Sequence, residues 1–443
     1  MRKKSYRYLA PIIVLVALCA TTASVGSGKA SDHITTAAAR VKHVFIIVLE
    51  NKSFSDTFET SSQDPYLQKT LVPMGALLKQ YYGTGHVSLD NYISMISGQA
   101  PTRDTANDCL PGSTGGLGNF TEMEQVSIAP NGQVITGGGC IYPAPVKTLA
   151  DQMTSAGLSW KAYMEDMGND PARESATCGH PSIGIGTDNT NLAEPPSAAI
   201  PKGDAYATRH NPFVYFHSII DSPDCQKRVV HLQQLEADLA RPSNTPNLVF
   251  ITPNVCHDAH DGAGTGAPGT TCANHEPGGL TSADAFLKSW VPRILRSPAY
   301  RKDGLLIITF DESDVILNEQ KDPNSGKITR NSVFPGLACC DEPLGPNLKG
   351  VRPGVLNLVN SSTLTWNVVI DGYGGDRIGA LLLSPFVKAG SSSQAPYNHY
   401  SLLRSLEDIF ELPEHLGYAA DDPSIGYHVE TVDNNGEVFK SGP

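Results

Sequence analysis

Basic residues are in the minority in this 443-residue chain: 33 Lys and Arg face 45 Asp and Glu, a formal net charge of −12 at pH 7. A protein that binds nucleic acid non-specifically needs a basic surface, so the balance argues against that class. It also leaves no polybasic patch for an anionic membrane. Charged residues make up only 18% of the chain and hydrophobic residues 40%, which argues against general disorder and allows a sizeable core.

Several motifs of common protein classes are missing. No Cys-x-x-Cys pair is present, which argues against a structural zinc site. No Gly-x-Ser-x-Gly elbow is present, which argues against an α/β-hydrolase. There is no Walker loop, and the glycine-rich stretch that starts at Gly262 neither follows a strand directly nor opens a helix, so the dinucleotide fingerprint fails.

The N-terminus has the pattern of an export signal. Arg2, Lys3 and Lys4 precede an apolar run, Leu9 to Ala20, that is too short to span a bilayer. We therefore expect residues 1–30 to be a signal peptide, residues 31–443 to form one domain, and the protein to be secreted or extracytoplasmic, with no stable membrane span. An uncleaved anchor and a lipid on Cys19 are the alternatives.

Removal of the signal peptide leaves eight cysteines, and an even number in an exported chain predicts disulfides. The sequence does not give the pairing. Cys109–Cys140 and Cys256–Cys272 are the local pairs that we predict.

Strand-like and helix-like segments alternate along the chain, which predicts an α/β fold: a doubly wound, mostly parallel sheet with helices on both faces. Long polar insertions are predicted at about 101–145, 170–208 and 313–376. The predicted strands are Val44–Leu49, Leu158–Tyr163, Asn247–Thr252, Leu305–Phe310 and Ile378–Ser384. The predicted helices are Leu71–Tyr82, Leu89–Ser97, Val146–Ala156, Val229–Ala240, Leu280–Leu295 and Tyr400–Phe410.

Two of the predicted strands end in acidic residues. Glu50 and Asn51 follow the first, and Asp311 and Glu312 follow the fourth. In open α/β sheets, ligands bind outside the carboxyl ends of the strands, and carboxylate and amide oxygens are ligands for a hard cation. The pair of motifs therefore predicts a cation site, and the alternative is two unrelated surface acids.

Ser88 and Asn91 lie where a glycine-containing turn leads into a predicted helix. If Ser88 met the cation site, its hydroxyl would have a means of activation without a neighbouring histidine base. The alternative is that Ser88 is only a helix N-cap, with Asn91 at N3.

The histidines allow more than one interpretation. His257, Asp258 and His260 share an acidic loop and are either solvated or ligands of a second metal. His275 is either a surface side chain or an acid for a leaving group. His210 and His399 follow the pattern of loop histidines that bond a backbone carbonyl.

Taken together, these motifs resemble the bacterial phosphoesterase family of the alkaline phosphatase superfamily, which holds acid phosphatases and phospholipases C. The match covers most of the mature chain in the right order. The matching blocks are Glu50-Asn51-Lys52-Ser53-Phe54, His86 to Tyr92, Ser159 to Tyr163, Arg209 to Phe213, Pro253-Asn254, His275-Glu276-Pro277, Phe310-Asp311-Glu312, Leu383 to Gly390 and Asn398 to Arg404.

The resemblance implies an alkaline-phosphatase-like fold and a role for each matching residue. Ser88 would be the phosphorylated nucleophile, and Asn91 would steady the phosphoryl group. His275 would bind phosphate or protonate the leaving group, with His210 beside it. The metal ligands would be Glu50, Asn51, Asp311 and Glu312.

Two departures from the family pattern favour its acid-phosphatase-like branch. Asp311-Glu312 continues as Ser313-Asp314 and not as His-Gly-Gly, and the chain ends soon after the predicted helix that contains Glu407. We therefore expect an exported phosphoesterase that acts on small phosphate esters through a phosphoserine. A phospholipase C acting on phospholipid and an inactive cation-binding surface protein are the alternatives. One divalent ion is expected: Ca²⁺, Mg²⁺ or Mn²⁺ by ligand hardness, or Zn²⁺ or Fe through a nearby histidine.

Overall fold

A computed structural model describes residues 41–59, 63–109, 118–188, 190–265, 267, 269–340, 344–348, 354–420, 432–433 and 436–437. The predicted signal peptide lies outside these residues. Within them, no helix combines the length and the apolar character needed to cross a membrane.

Strands and helices alternate through much of the chain. The strands are β1 His43–Leu49, β2 Ala76–Tyr82, β3 Gly118–Phe120, β4 Glu124–Ile128, β5 Val134–Gly138, β6 Trp160–Met164, β7 Ile185–Asp188, β8 Val229–His231, β9 Leu248–Thr252, β10 Gly304–Phe310, β11 Ile316–Lys321, β12 Ile328–Phe334, β13 Gly354–Asn360, β14 Leu364–Ile370, β15 Ala380–Leu383, β16 Ser391–Asn398, β17 Val432–Asp433 and β18 Gly436–Glu437. The α-helices are α1 Ser88–Ser97, α2 Leu149–Ser155, α3 His217–Ile220, α4 Cys225–Arg228, α5 Gln234–Asp238, α6 Gly279–Arg296, α7 Pro298–Asp303 and α8 His399–Ile409.

The core of the fold is an eight-stranded sheet in the order β16-β2-β15-β10-β1-β9-β6-β8. Only β15 runs antiparallel to its neighbours, which confirms the predicted α/β class and mostly parallel sheet. Every residue of β1 and β10 is buried, as their uninterrupted apolar sequences require. The register aligns Leu49 with Phe310, so the acids that follow the two strands emerge side by side.

The predicted helix at Leu71–Tyr82 is wrong, because Ala76–Tyr82 is β2. This segment lies between β15 and β16, so sheet pairing on both sides outweighs its local helical spacing. Gly75 precedes it, and a Cβ there would lie 2.3 Å from the backbone oxygen of Leu382. The predicted helix at Val229–Ala240 is also wrong at its start, where β8 pairs with β6, and only α5 is helical.

Two insertions contain more structure than the sequence predicts. Residues 313–376 include a separate four-stranded sheet in the order β11-β12-β14-β13, and residues 101–145 include the β4–β5 hairpin. Strand β16 was also not predicted. The Cys109–Cys140 and Cys256–Cys272 disulfides are confirmed, and Cys178–Cys225 and Cys339–Cys340 are also bonded.

Candidate metal and nucleophile site

Three carboxylates meet at the carboxyl edge of three neighbouring parallel strands. Glu50 follows β1, Asp311 follows β10, and Asp258 lies in the loop after β9. All three residues are fully buried. The backbone N–H of Glu50 donates to the backbone oxygen of Asp258 at 2.7 Å, which ties the loop to the strand end. We call these residues, together with Ser88 and His210, the strand-end cluster.

Ser88 is the first residue of α1, and its hydroxyl donates to Oε2 of Glu50 at 2.8 Å. The N-cap of α1 is Val87, whose own side chain makes no capping bond. The interpretation of Ser88 as an N-cap is therefore wrong, because its hydroxyl turns to the acids and not to the backbone of its own helix. Burial leaves Ser88 only 2% exposed.

His210 lies between two of the carboxylates. Its Nε2 is 3.4 Å from Oε2 of Glu50, and its Nδ1 is 3.2 Å from Oδ2 of Asp258. Burial, aided by the positive charge of Arg209 and by His260, lowers the pKa of His210 well below its usual value. The ring is therefore neutral, with one N–H and one lone pair available to its neighbours.

The carboxyl groups of the cluster have the opposite shift. Burial, and then the charges of Asp311 and Asp258, raise the pKa of Glu50 well above its usual value. Burial likewise raises the pKa of Asp258 strongly and that of Asp311 to about 6. Crowded buried acids of this kind keep their charges only where a positive charge compensates them.

The residues present fit a divalent cation. Oδ2 of Asp258, Oδ2 of Asp311 and Oδ1 of Asn51 are buried acceptors without a hydrogen bond in the described part of the chain. Both ring nitrogens of His210, one donor and one acceptor, are also buried there without a hydrogen bond. Ligand atoms of Glu50, His210 and Asp258 all lie within 4.8 Å of one another. Carboxylate and amide oxygens suit Ca²⁺, Mg²⁺ and Mn²⁺, and the imidazole also admits Zn²⁺ or Fe.

Asn51 is held in one orientation by its neighbours. Its backbone N–H donates to Oδ1 of Asp311 at 3.0 Å, and its Nδ2 donates to Oε1 of Glu312 at 2.8 Å. Since a carboxylate can only accept here, the amide nitrogen is assigned and Oδ1 is left as the unpaired acceptor. The other oxygen of Glu312 bonds to Nδ1 of His86, so both of its oxygens already have protein partners. Oδ1 of Asn51 is thus free to bind a cation, and the role of Glu312 as a ligand stays a prediction.

The side chain of Asn91 is used by the turn before α1. Its Oδ1 accepts from the backbone N–H groups of Thr84 and Gly85 at 2.8 and 3.1 Å, and its Nδ2 donates to the backbone oxygens of Gly85 and Val87 at 2.9 and 3.1 Å. These bonds hold the turn that delivers Ser88. They use the amide to fix the backbone of the turn, and the contact with a phosphoryl group that the resemblance implies stays a prediction.

The other predicted histidines differ in how close they lie to the strand-end cluster. His275 is exposed at φ 69°, and among the described residues no hydrogen bond or ion pair joins its side chain to the cluster. His260 lies close to the cluster: its ring centroid is 5.9 Å from that of His210, its Nδ1 is 2.8 Å from Asp261, and its Nε2 accepts from Arg209 at 3.3 Å.

His399 bonds a backbone carbonyl, as its loop pattern predicts. Its Nε2 donates to the backbone oxygen of Asp311 at 2.6 Å, and Nδ1 accepts from the hydroxyl of Tyr81 at 3.0 Å. Burial lowers the pKa of His399 to about 4, so the ring is neutral. His399 therefore supports the Asp311 strand end from behind.

His257 belongs to a different group, which we call the surface cluster: Glu165, His257 and Glu276. Its Nδ1 lies 2.9 Å from Glu165 and its Nε2 lies 2.6 Å from Glu276. Burial opposes the charged ring, but Glu165 and Glu276 outweigh it and raise the pKa of His257 to about 10. Cys256 lies alongside but is bonded to Cys272, so it offers no thiolate to a metal.

Sequence reasoning missed two residues at the strand-end cluster. The buried hydroxyl of Tyr92 donates to Oε1 of Glu50. Arg209 lies 3.7 Å from Asp108, which itself accepts from the backbone N–H of Leu89 at 2.8 Å. The spacing of four residues from Ser88 to Tyr92 on one helix was the available signal for the tyrosine.

Comparison with known proteins gives several matches. The chain is 26% identical over 268 residues to a phosphate-repressible acid phosphatase of Penicillium chrysogenum, covering 60% of this chain and 47% of that protein. It is 21% identical over 387 residues to a probable acid phosphatase of Kluyveromyces lactis, covering 87% and 62%. The chain thus spans about half to two thirds of the length of these relatives.

A solved structure, described as a protein in the alkaline phosphatase superfamily from Vibrio parahaemolyticus, is similar with a TM-score of 0.42 and 12% identity, covering 84% of this chain and 66% of that one. The model of the Phosphoesterase family matches residues 60–413, which is most of the sequence. The chain belongs to the Phosphoesterase family.

Proposed function

We propose that this protein is an exported, metal-dependent phosphoesterase that hydrolyses small phosphate monoesters through a phosphoserine at Ser88. The observation that carries the proposal is the 2.8 Å hydrogen bond from the Ser88 hydroxyl to Glu50, inside a fully buried group of acids with unpaired oxygens. Family membership and the similarity to fungal acid phosphatases support the same chemistry.

Glu50, Asp258, Asp311, His210 and Oδ1 of Asn51 would hold the cation. A divalent ion bound there lowers the pKa of a neighbouring hydroxyl and offsets the negative charge of the phosphoryl oxygens. Asn51 and its partner Glu312 keep the ligand set in place through the bond between them.

The chain's own groups account for the orientation of the nucleophile. Oε2 of Glu50 accepts the hydrogen of the Ser88 hydroxyl and so fixes the direction of Oγ. As Oγ attacks phosphorus the P–O ester bond would break, the proton of the hydroxyl would go to the oxygen of the leaving alcohol, and water would then hydrolyse the phosphoserine and restore the hydroxyl. Ser88 opens the ten-residue helix α1, whose N-terminal dipole favours an anion beside it. His210 lies next to the same oxygen of Glu50 and offers a neutral imidazole. We therefore place His210, and not the exposed His275, beside the reacting groups, where its ring helps to orient Glu50.

Export is part of the proposal. The predicted signal peptide and the four disulfides in the described residues both suit an extracytoplasmic protein, because thiols are kept reduced in the cytosol. Residues 31–443 would be its single catalytic domain.

The test is Ser88→Ala, with Ser97→Ala as the matched control. Ser97 is a buried serine of the same helix whose hydroxyl donates to the backbone oxygen of Ile93 at 2.6 Å and accepts from the backbone N–H of Gln99 at 3.3 Å, away from the acids. Turnover of a panel of monoesters should fall by more than about a thousand-fold in Ser88→Ala, with metal content unchanged, and should stay near wild type in Ser97→Ala.

Acid quenching with a labelled monoester should trap phosphate on wild-type protein and none on Ser88→Ala. Full activity in Ser88→Ala would refute the nucleophile. Turnover of lipid vesicles at rates comparable with those on monoesters would instead support a phospholipase C, and no hydrolysis under any condition would support a binding protein.

A further inference from the structure

Tyr92 lies one helical turn after Ser88 on α1, and both side chains reach Glu50. The Ser88 hydroxyl donates to Oε2 at 2.8 Å, and the Tyr92 hydroxyl donates to Oε1. Residues four apart share one face of a helix, so a single face of α1 contacts both oxygens of this carboxylate. The orientation of Glu50 is thereby coupled to the position of the nucleophile.

The ring of Tyr92 makes a second contact with the cluster. It stacks on the imidazole of His210, with ring centroids 5.4 Å apart and an angle of 15° between the planes. It also packs near Phe250 of β9, with ring centroids 6.4 Å apart, and β9 is the strand that leads to the Asp258 loop. Tyr92 is completely buried, so these contacts restrict it to one position.

Packing alone accounts for the ring but not for the hydroxyl. A phenylalanine would fill nearly the same space and would bury no polar atom, and burial of a hydroxyl is favourable only where it has a partner. Here the partner is a carboxylate beside two other buried carboxylates. The hydroxyl is therefore placed where it determines how that carboxylate faces the site.

We propose that Tyr92 is a positioning residue, which occupies Oε1 of Glu50 and stacks on His210 so that only Oε2 is presented to Ser88 and to a bound cation. This inference rests on the proposed function for the identity of the reaction. It makes a separate statement about the ligand set, because groups that hold a metal ligand in place govern the affinity for the ion.

The test is Tyr92→Phe, which keeps the ring and its stacking and removes the one hydroxyl. Affinity for Mn²⁺, measured by calorimetry on metal-free protein without substrate, should weaken by about 10- to 100-fold. At saturating Mn²⁺, kcat for a monoester should still fall while KM stays within about twofold of wild type, because Oε2 no longer faces Ser88 in one orientation.

Tyr163→Phe is the matched control. Tyr163 lies in β6, is fully buried, and donates to Oδ2 of Asp238 at 2.7 Å. The control therefore also removes a buried hydroxyl bonded to a carboxylate, but away from the cluster. It should lose stability without a change in Mn²⁺ affinity.

The outcomes separate this inference from the proposed function. Equal Mn²⁺ affinity and equal kcat in wild type and Tyr92→Phe overturn the positioning role, even if the protein is an active phosphatase. Weaker Mn²⁺ binding in Tyr92→Phe but not in Tyr163→Phe supports the role, even if wild type hydrolyses no monoester. Equal weakening in both variants overturns it as a general loss of stability, and a wild type that binds no Mn²⁺ overturns it together with the metal site.

Discussion

The strand-end cluster and the surface cluster combine histidine with carboxylates, yet they behave in opposite ways. In the first, His210 is fully buried between Glu50 and Asp258 and its pKa is lowered, first by burial. In the second, His257 is about a quarter exposed and its pKa is raised to about 10, because Glu165 and Glu276 outweigh the burial that opposes the charge. Residue type therefore does not distinguish the two groups, whereas depth and unpaired atoms do.

This difference indicates which of the two clusters needs a bound cation to balance its negative charge. His257 can carry the positive charge that its two neighbours require, and each of its ring nitrogens faces a carboxylate oxygen. The pKa of His210 is lowered, and Asp258 and Asp311 of its cluster each keep an unpaired oxygen in the described structure. Only the strand-end cluster is left with an uncompensated demand for positive charge.

The largest difference is expected between Asp258→Asn and Glu276→Gln, which each remove one charge with little change of shape. Loss of a group that supports a metal ligand usually costs up to about 100-fold. Asp258 is proposed as a ligand itself, so Asp258→Asn should lower kcat/KM by more than about 100-fold and should reduce metal content. Glu276→Gln should leave both within about twofold. Equal losses in steady-state kinetics would contradict the distinction between the clusters.

Removal of the metal by a chelator should lower the Tm, and the size of this shift should depend on the strand-end cluster and not on the surface cluster. A ligand held at 100 times its dissociation constant stabilises the folded state by about 2.7 kcal/mol, so EDTA should lower the Tm of wild type by a few degrees. Asp258→Asn should show a much smaller shift, and Glu276→Gln the wild-type shift. A calorimetric scan in which chelator leaves wild type unchanged would remove the case for a bound ion.

Glu407 is a buried acid outside both clusters, so it shows how burial acts on a carboxyl that has no neighbouring cluster of acids. Burial raises the pKa of Glu407 in α8 to about 8, above an unfolded value near 4.5. The folded protein therefore binds more protons between these values, and stability is lost as pH rises from about 4.5 through about 8, by up to about 1.4 kcal/mol per pH unit. Glu407→Gln should flatten this part of the stability curve.

The control is Glu411→Gln, at an exposed acid paired with Lys42 at 3.7 Å. It should keep the wild-type dependence of unfolding on pH. Chelator should not change the slope that Glu407 contributes, because a single acid can hold a proton where the strand-end cluster needs a cation. A parallel pH dependence in wild type and Glu407→Gln would show that Glu407 ionises freely.

The smallest effect is expected for His257→Gln. Partly exposed ion pairs contribute about 0–1 kcal/mol each, and His257 makes two, so the free energy of unfolding in urea should drop by no more than about 2 kcal/mol, with kcat/KM within about twofold of wild type. A loss of metal from this variant would place the surface cluster in the metal site after all.

Elements with long apolar patterns were predicted correctly from the sequence, whereas an element that depends on distant partners was not. Long apolar runs predicted β1 and β10, and Gly98 marked the end of α1. The pairing of Glu50 with Asp311 followed from two parallel strands that end together. Strand β2 was mistaken for a helix, because its partners β15 and β16 lie about 300 residues further along the chain.

Within the site, the prediction was strongest for residues next to strand ends and weakest for those in loops. Asp258 reaches the cluster only because its loop folds back to bond the backbone N–H of Glu50. Glu312 and Asn91 match a family pattern, yet their side chains are paired with Asn51 and His86 and with the turn before α1.

The sequence by itself determined that two buried strands end in acids, that a serine opens a helix after a glycine turn, and that the sheet is mostly parallel, because these follow from local apolar periodicity and turn chemistry. Tertiary structure decided which acids meet, that His210 is neutral and His257 charged, and that Tyr92 faces Glu50. Those properties depend on burial and on contacts between distant segments, which set the pKa of each group and the partner of each polar atom.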